Sequence, residues 1–162
     1  MYTLMGPIIT PILKQHGIPE DFKYLALIES GLQNIVSPAG AAGPWQIMKG
    51  TALDYGLEVN SEIDERYHMV KATVVACEYL NKAHDKFNNW TLAAASYNMG
   101  MGGTAKILAE QRVNSYYELR LNSETGRYVY RMAALKHIHE HLDDYGYIYH
   151  KSEGYSLPVF DT

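Results

Sequence analysis

The sequence lacks several features that define large classes of proteins. It has a single cysteine, Cys77, so no internal disulfide can form. No apolar run approaches the ~20 residues that a membrane-spanning helix requires. Lysine and arginine number 14 against 18 acidic residues, which gives a net charge of −4 and no basic surplus. We therefore expect no disulfide scaffold, no transmembrane segment and no nucleic-acid partner. No targeting segment is recognisable in the chain either.

Strand patterns and metal-binding patterns are also missing. Alternation of apolar and polar residues never extends beyond a few positions, so we expect no sheet. His137, His139 and His141 alternate along a predicted helix, where side chains two residues apart diverge. For the pair that shares a face, His137 and His141, no acidic or cysteine partner stands out, so we expect solvated histidines and no zinc site. No glycine-rich phosphate-binding motif occurs. We expect neither a metal ion nor a cofactor.

What the sequence does contain is helical periodicity. Apolar residues make up 47% of the 162 residues, enough for one globular domain with a substantial core. We predict a mostly α domain of about seven helices over residues 1–146, and an extended C-terminal tail over residues 147–162 that packs on the same domain. The predicted helices lie near residues 8–13, 19–30, 44–55, 64–83, 92–98, 104–111 and 123–145.

One glutamate stands out as a candidate catalytic group. Glu29 ends the apolar helical stretch at residues 26–31 (ALIESG), and a loop of small side chains follows at residues 37–46 (SPAGAAGPWQ). A carboxyl group held against apolar surface has a raised pKa, as a general acid near neutral pH requires. A second segment, residues 95–103 (ASYNMGMGG), again combines polar side chains with glycine. A glutamate in a helix is more often a solvated surface residue, so the residues alone leave both interpretations open.

Four segments together resemble a known enzyme family. They are Glu29-Ser30, the loop at residues 37–46, Ser96-Tyr97-Asn98 and residues 124–129 (ETGRYV). In order and spacing they resemble the motifs of the lytic transglycosylases with a goose-type lysozyme-like fold. The resemblance covers about residues 7–145, and residues 18–30 (IPEDFKYLALIES) are similar to the opening phrase of the membrane-bound branch. It implies a lysozyme-like domain with a glycan-binding cleft between the N-terminal helices and the Tyr97 region.

The resemblance also implies a reaction. Family members cleave the β-1,4 bond between N-acetylmuramic acid and N-acetylglucosamine in peptidoglycan and form a 1,6-anhydro sugar. Glu29 would be the single catalytic carboxylate, first as acid toward the glycosidic oxygen and then as base toward the sugar's own 6-hydroxyl. No aspartate or glutamate lies between Glu29 and Asp54. This agrees with one catalytic carboxylate, in contrast to the pair that most glycosidases use.

Six further residues match substrate-binding positions of the family. By resemblance, Gln46 contacts the sugar's acetamido group, Tyr97 hydrogen-bonds the catalytic carboxylate, and Ser37 hydrogen-bonds near that carboxylate and the substrate. Trp45 stands where the family usually has methionine, and its flat ring could stack on a sugar. Each of these residues also has an ordinary structural interpretation as a turn, helix-surface or core residue. The complete set is Ser37, Trp45, Gln46, Tyr97, Asn98 and Tyr128.

Two alternative functions stay open at this point. A lysozyme-type hydrolase would use water in place of the 6-hydroxyl, and a non-catalytic module would bind peptidoglycan without cutting it. In either case the expected partner is the peptidoglycan glycan strand. The resemblance places the protein in the cell envelope, in the periplasm or associated with the outer membrane, and we expect a monomer.

Overall fold

The structure is a computed structural model that describes residues 5–146. Within that range six α-helices are joined by 3-10 turns and loops, and pairing between extended segments is limited to isolated β-bridges. The predicted mostly α class is confirmed, whereas the predicted tail at residues 147–162 lies outside the described residues. The helices are α1 (Thr10–Gln15), α2 (Lys23–Ser30), α3 (Lys49–Asp54), α4 (Met69–Phe87), α5 (Trp90–Gln111) and α6 (Thr125–Glu140).

Helix α2 begins and ends where its sequence indicates. Pro19 precedes a 3-10 turn, Glu20–Phe22, that continues directly into the helix and places two acidic side chains at its positive end. Gly31 ends the helix with φ of 63°, and its N–H donates to the carbonyl oxygen of Leu27 at 3.0 Å. Glu29 therefore lies in the last turn, just before the chain changes direction.

The predicted break between the helices near residues 92–98 and 104–111 is present as a kink inside α5. Gly100, at φ 76° and ψ 148°, interrupts α5 without ending it. The Thr104 hydroxyl donates to the Gly100 carbonyl oxygen at 3.0 Å, and the chain resumes helical geometry. The helix begins two residues before the predicted start at residue 92, because Asn89 caps it and accepts a hydrogen bond from the Leu92 N–H at 2.9 Å.

The third predicted helix begins later than expected. Residues 44–48 belong to a compact loop, and α3 starts only at Lys49. Ala42 forms β-bridges to both Val36 and Ile47, so the loop doubles back on itself. The Ser30 hydroxyl donates to the Pro44 carbonyl oxygen at 2.7 Å. This bond joins the loop to the end of α2.

The long helices α4 and α5 pack against each other, and α6 lies against both α2 and α5. Their shared core is apolar and includes side chains with no exposed surface: Leu13, Leu25, Trp45, Leu80 and Ala94. Among residues 5–146, no helix combines the length and the hydropathy needed to cross a membrane. The arrangement brings the end of α2, the loop before α3 and the facing sides of α5 and α6 together at one place.

Candidate active site

Glu29 is held by a tyrosine from a helix far away in sequence. The Tyr128 hydroxyl, on α6, donates a hydrogen bond to Oε1 of Glu29 on α2. Tyr128 is 2% exposed, and Glu29 is half-buried. Because the two side chains come from two packed helices, their separation is set by the packing of α2 against α6.

Burial raises the pKa of Glu29 above its ordinary value of 4.5. The hydrogen bond from Tyr128 and the positive charge of Arg131 oppose this rise, because both favour the carboxylate, and the negative charge of Glu124 adds to it. Burial also raises the pKa of Tyr128 well above the usual value for a tyrosine. Tyr128 therefore keeps its proton and remains a donor, and the pKa of Glu29 is shifted in the direction that a general acid requires.

The expected bond between Tyr97 and the catalytic carboxylate is replaced by another. The Tyr97 hydroxyl donates to the carbonyl oxygen of Trp45 at 2.9 Å. Its ring lies edge-on to those of Trp45 and Tyr79, with centroid distances of 6.2 and 5.4 Å. Tyr97 thus supports the loop backbone, and the carboxylate contact assigned to it by resemblance is made by Tyr128.

The expectation that Trp45 stacks on a sugar is wrong for this structure. Its side chain has no exposed surface. The indole N–H donates to the Thr73 hydroxyl at 2.8 Å, so its one polar atom is satisfied inside the core. The loop folds its largest apolar side chain inward, where burial stabilises it more than exposure to the cleft would.

Ser37 and Gln46 hold the loop in shape. The hydroxyl of Ser37 accepts a hydrogen bond from the Ala41 N–H at 3.1 Å, and the Ser37 N–H donates to the Ala41 carbonyl at 2.8 Å. Gln46 has a φ of 47°, an uncommon value for a residue with a side chain. Its side-chain amide nitrogen donates to the carbonyls of Ile35 at 3.0 Å and Gly43 at 2.9 Å. Their contacts with a sugar remain predictions.

A pocket of about 200 Å³ lies beside this loop. Three of the residues predicted for substrate binding line it, Gln46, Tyr97 and Asn98. Apart from Gly100, which lies in the glycine-rich segment at residues 95–103, the other lining residues lie in or just before α3 and in α4, where nothing local in the sequence marks a pocket-facing residue. These additional lining residues are Ile47, Met48, Thr51, Val75, Ala76, Tyr79 and Gly100.

Asn98 connects the pocket to the start of α6. Its side-chain oxygen accepts from the Thr125 hydroxyl at 2.9 Å, and its amide nitrogen donates to Glu124 at 3.4 Å. Glu124 is exposed, yet its charge acts on Glu29. The sequence interpretation placed Glu124 in a family motif without recognising that it is an electrostatic neighbour of Glu29. Within residues 5–146, no group of three or more histidine, cysteine or acidic side chains is arranged to hold a metal ion.

Comparison with known families and proteins gives a consistent result. Residues 7–119 match the transglycosylase SLT domain. Two curated relatives, both described as membrane-bound lytic murein transglycosylase D, come from Escherichia coli strains K12 and O6:H1. Each is 31% identical to this chain over 152 residues, which is 90% of the chain and 32% of the relative. The chain thus spans about a third of the length of these relatives.

Two solved structures are similar in fold. An inactive mutant of the lytic transglycosylase Slt from Pseudomonas aeruginosa gives a TM-score of 0.68 at 21% identity, over 88% of this chain and 25% of that one. The 70 kDa soluble lytic transglycosylase from Escherichia coli gives 0.64 at 23% identity, over 82% of this chain and 24% of that one. The predicted lysozyme-like helical fold is confirmed by these likenesses.

Proposed function

The chain belongs to the transglycosylase SLT domain family, and we propose that it cleaves the β-1,4 bond between N-acetylmuramic acid and N-acetylglucosamine in peptidoglycan with closure of a 1,6-anhydro ring. The observation that carries the proposal is the pairing of half-buried Glu29 with the Tyr128 hydroxyl. Burial keeps Glu29 protonated to higher pH than an exposed glutamate, and the hydrogen bond fixes its orientation.

In the first step Glu29 acts as a general acid. Its carboxyl proton passes to the glycosidic oxygen as the bond from that oxygen to the anomeric carbon of the muramic acid breaks. The N-acetylglucosamine side leaves with a new hydroxyl group. Glu29 is then a carboxylate, which the Tyr128 hydroxyl and the positive charge of Arg131 both stabilise.

In the second step the same carboxylate acts as a base. It takes the proton of the 6-hydroxyl of the muramic acid while that oxygen bonds to the anomeric carbon. The ring closes, Glu29 regains its proton, and no water is consumed. Because nucleophile and electrophile belong to one sugar, the attack is intramolecular and benefits from a high effective concentration.

The pocket next to the loop is the proposed sugar-binding surface. Gln46, Asn98 and Tyr97 line it and present amide and hydroxyl groups beside apolar walls, the combination that ligand pockets use. We assign Ser37 to the same surface, where the family resemblance places it. The relatives' description as membrane-bound murein transglycosylases supports a cell-envelope location for this chain. We propose that it acts there on glycan strands as a monomer.

Digestion of purified sacculi in ¹⁸O-labelled water, followed by mass analysis of the fragments, tests the proposal. We expect anhydromuramic ends that carry no label. Labelled reducing ends would identify a hydrolase instead, and release of no fragment with retained binding would identify a non-catalytic module.

A matched pair of variants makes the test specific for Glu29. Glu29→Gln keeps the side-chain volume but cannot transfer a proton, so we expect the rate to fall by at least about 100-fold. Glu110→Gln, on an exposed part of α5, should leave the rate unchanged. A Glu29→Gln variant within tenfold of the wild-type rate would contradict the assignment.

A further inference from the structure

A buried arginine outside the family motifs holds the loop that forms one wall of the pocket. Arg66 lies in the 3-10 turn Glu65–Tyr67 and is 7% exposed. Its Nη1 donates to two loop carbonyls, that of Gly40 at 2.9 Å and that of Ile47 at 3.1 Å. Nε and Nη2 donate to the Asp64 carboxylate at 2.9 and 2.7 Å. One side chain thus joins both halves of the loop to a fixed anion.

The loop backbone also rests directly on the backbone of Arg66. Gly43 has a φ of 78°, and a Cβ there would lie 2.0 Å from the Arg66 carbonyl oxygen. Ile47, which accepts from the guanidinium, is paired with Ala42 by two backbone hydrogen bonds of 3.0 and 3.1 Å. The turn that contains Gly40 is closed by its N–H bond to the Ser37 carbonyl at 2.9 Å. Arg66 is therefore bound at the two points where the loop folds back on itself.

The backbone conformation of Gln46 depends on this support by Arg66 more than that of the adjacent loop residues does. Its left-handed φ of 47° is unfavourable for a residue with a side chain and persists only where the surroundings hold it. Ile47, the next residue, is the one whose carbonyl the guanidinium binds, and both residues line the pocket. The hydrogen bonds of Arg66 within residues 5–146 reach the loop and Asp64, and none reaches Glu29 or Tyr128.

We propose that Arg66 is a positioning residue for substrate binding, which holds residues 37–47 so that Gln46 and the adjoining pocket wall are formed before the glycan arrives. This inference rests on the proposed function, because it assigns the loop to glycan binding. A preformed loop avoids the free-energy cost of ordering it on binding. Loss of Arg66 should therefore weaken substrate binding and leave the Glu29–Tyr128 pair intact.

The arrangement requires the shape of a guanidinium as well as a positive charge. The planar group directs donors to the carboxylate on one side and to two carbonyls on the other. An ammonium group carries the same charge but cannot reach all four acceptors from one point. Hydrogen bonding to Arg66 lowers the pKa of Asp64, and Asp64 in turn raises the pKa of Arg66, so both stay charged over the working pH range.

Steady-state kinetics on glycan oligomers separate this role from a purely structural one. For Arg66→Lys we expect KM to rise by about tenfold with kcat changed by less than about threefold, the pattern of lost uniform binding. Guanidinium ion added to Arg66→Gly should restore KM in part. Arg120→Gln, at an exposed position whose described hydrogen bonds involve only its backbone, serves as the control and should match the wild type.

Amide hydrogen exchange gives a readout that needs no activity. In Arg66→Lys the N–H groups of Ser37, Ala42 and Ile47 should exchange faster, while those of α4 keep their wild-type protection. Asp64→Asn, which removes the anchoring charge but leaves the guanidinium in place, should show the same loop effect more weakly if the Arg66 variants do not fold.

The outcomes distinguish this inference from the proposed function. Unchanged loop exchange and unchanged KM in Arg66→Lys would overturn the positioning role. So would a fall in kcat together with faster exchange throughout α4, because that pattern means general destabilisation. A wild-type chain that cuts no glycan would overturn the proposed function, and the exchange experiment would then still decide whether Arg66 holds the loop.

Discussion

At the scale of single residues, the fold places the carboxyl group of Glu29 where burial disfavours its charged form. Glu29 is half-buried, and its pKa is raised chiefly because burial removes water from the carboxylate. The sign of the effect on stability follows from this direction. Protonated Glu29 costs the fold little, whereas ionised Glu29 destabilises it at every pH above the raised pKa.

Glu29→Gln should therefore make the protein more stable while it abolishes catalysis. The amide resembles the protonated acid, and its oxygen can still accept the hydrogen bond from Tyr128. We expect the melting temperature at pH 7 to rise, because folding of the variant no longer buries a carboxylate. The difference should vanish as pH falls below 4.5, the ordinary value, where wild-type Glu29 is protonated in both folded and unfolded chains. Thermal scans of both proteins from pH 4 to 8 measure it, and equal stability at pH 7 would contradict it.

The hydrogen bond from Tyr128 makes a prediction about the pH profile. Donation by the hydroxyl favours ionised Glu29, so Tyr128→Phe should raise the pKa of Glu29 further. Because the reaction begins with protonated Glu29, activity falls as pH rises through that pKa, and the alkaline limb of kcat/KM should move to higher pH.

Tyr97→Phe is the matched control for this experiment. It also removes a single tyrosine hydroxyl, but this hydroxyl donates to the Trp45 carbonyl and not to Glu29. Its alkaline limb should coincide with that of the wild type. A shift in Tyr97→Phe without one in Tyr128→Phe would reverse the roles that the structure gives these tyrosines.

At the scale of elements, two glycines in the same helix should respond to alanine in opposite ways. Gly100 has the φ and ψ that interrupt α5, and these are strained for alanine, so Gly100→Ala should destabilise the protein by about 1–3 kcal/mol. Gly102 lies in regular helix with open space where a Cβ would be. Gly102→Ala should stabilise by about 0.5–1 kcal/mol. Urea unfolding measures both, and effects of the same sign would mean that the kink is not required.

The helices that the sequence predicts best are those marked by composition and caps. The spacing of apolar residues predicts α2, and Gly31 predicts where it ends. The long apolar run at helical spacing through Cys77 predicts α4. The same reasoning places the break within α5 at Gly100, whose non-helical φ and ψ separate two helical stretches. It began α3 too early, because Pro44 suits the first turn of a helix as well as it suits a buried loop.

The sequence predicts which residues form the site better than it predicts the contacts between them. Family resemblance supplied Glu29 and Tyr128, but it assigned the carboxylate bond to Tyr97, since which of two tyrosines reaches a carboxylate depends on how helices pack. Trp45 appeared to be a sugar contact, because an aromatic ring near a cleft cannot be told from a core ring by sequence. No local pattern marks Arg66 as a support of the loop, since the two loop carbonyls that it binds lie 26 and 19 positions earlier.

At the scale of the whole molecule, the single thiol can report global unfolding. Cys77 lies on α4 with no exposed surface, and burial raises its pKa to about 12. A thiol that is both protonated and enclosed reacts only when the core opens. We expect a thiol reagent at pH 8 to label the native protein at least about 10³ times more slowly than the urea-unfolded chain.

This labelling experiment has a simple control and a clear contradiction. Cys77→Ala removes the only cysteine of the sequence and should show no labelling under any condition. Native labelling whose rate does not depend on mild denaturant would indicate local opening near α4 in place of global unfolding.

The contact between α2 and α6 extends well beyond the catalytic pair. Asp21, at the start of the α2 region, pairs with Lys136 at 2.7 Å, and the Tyr24 hydroxyl lies 2.9 Å from Nδ1 of His139. Glu29 and Tyr128 make the third contact along the same two segments. The loop that lines the pocket is held by Arg66 and Tyr97, and at one further point by Ser30 at the end of α2.

Under the proposed function, proton transfer would depend on the packing of α2 against α6, whereas the glycan-binding loop would depend mainly on Arg66 and Tyr97 and share only its Ser30 bond with α2. Residues 37–47 could be exchanged for loops of other lengths without changing the pKa of Glu29, provided that the acceptors for Arg66 and Ser30 were kept.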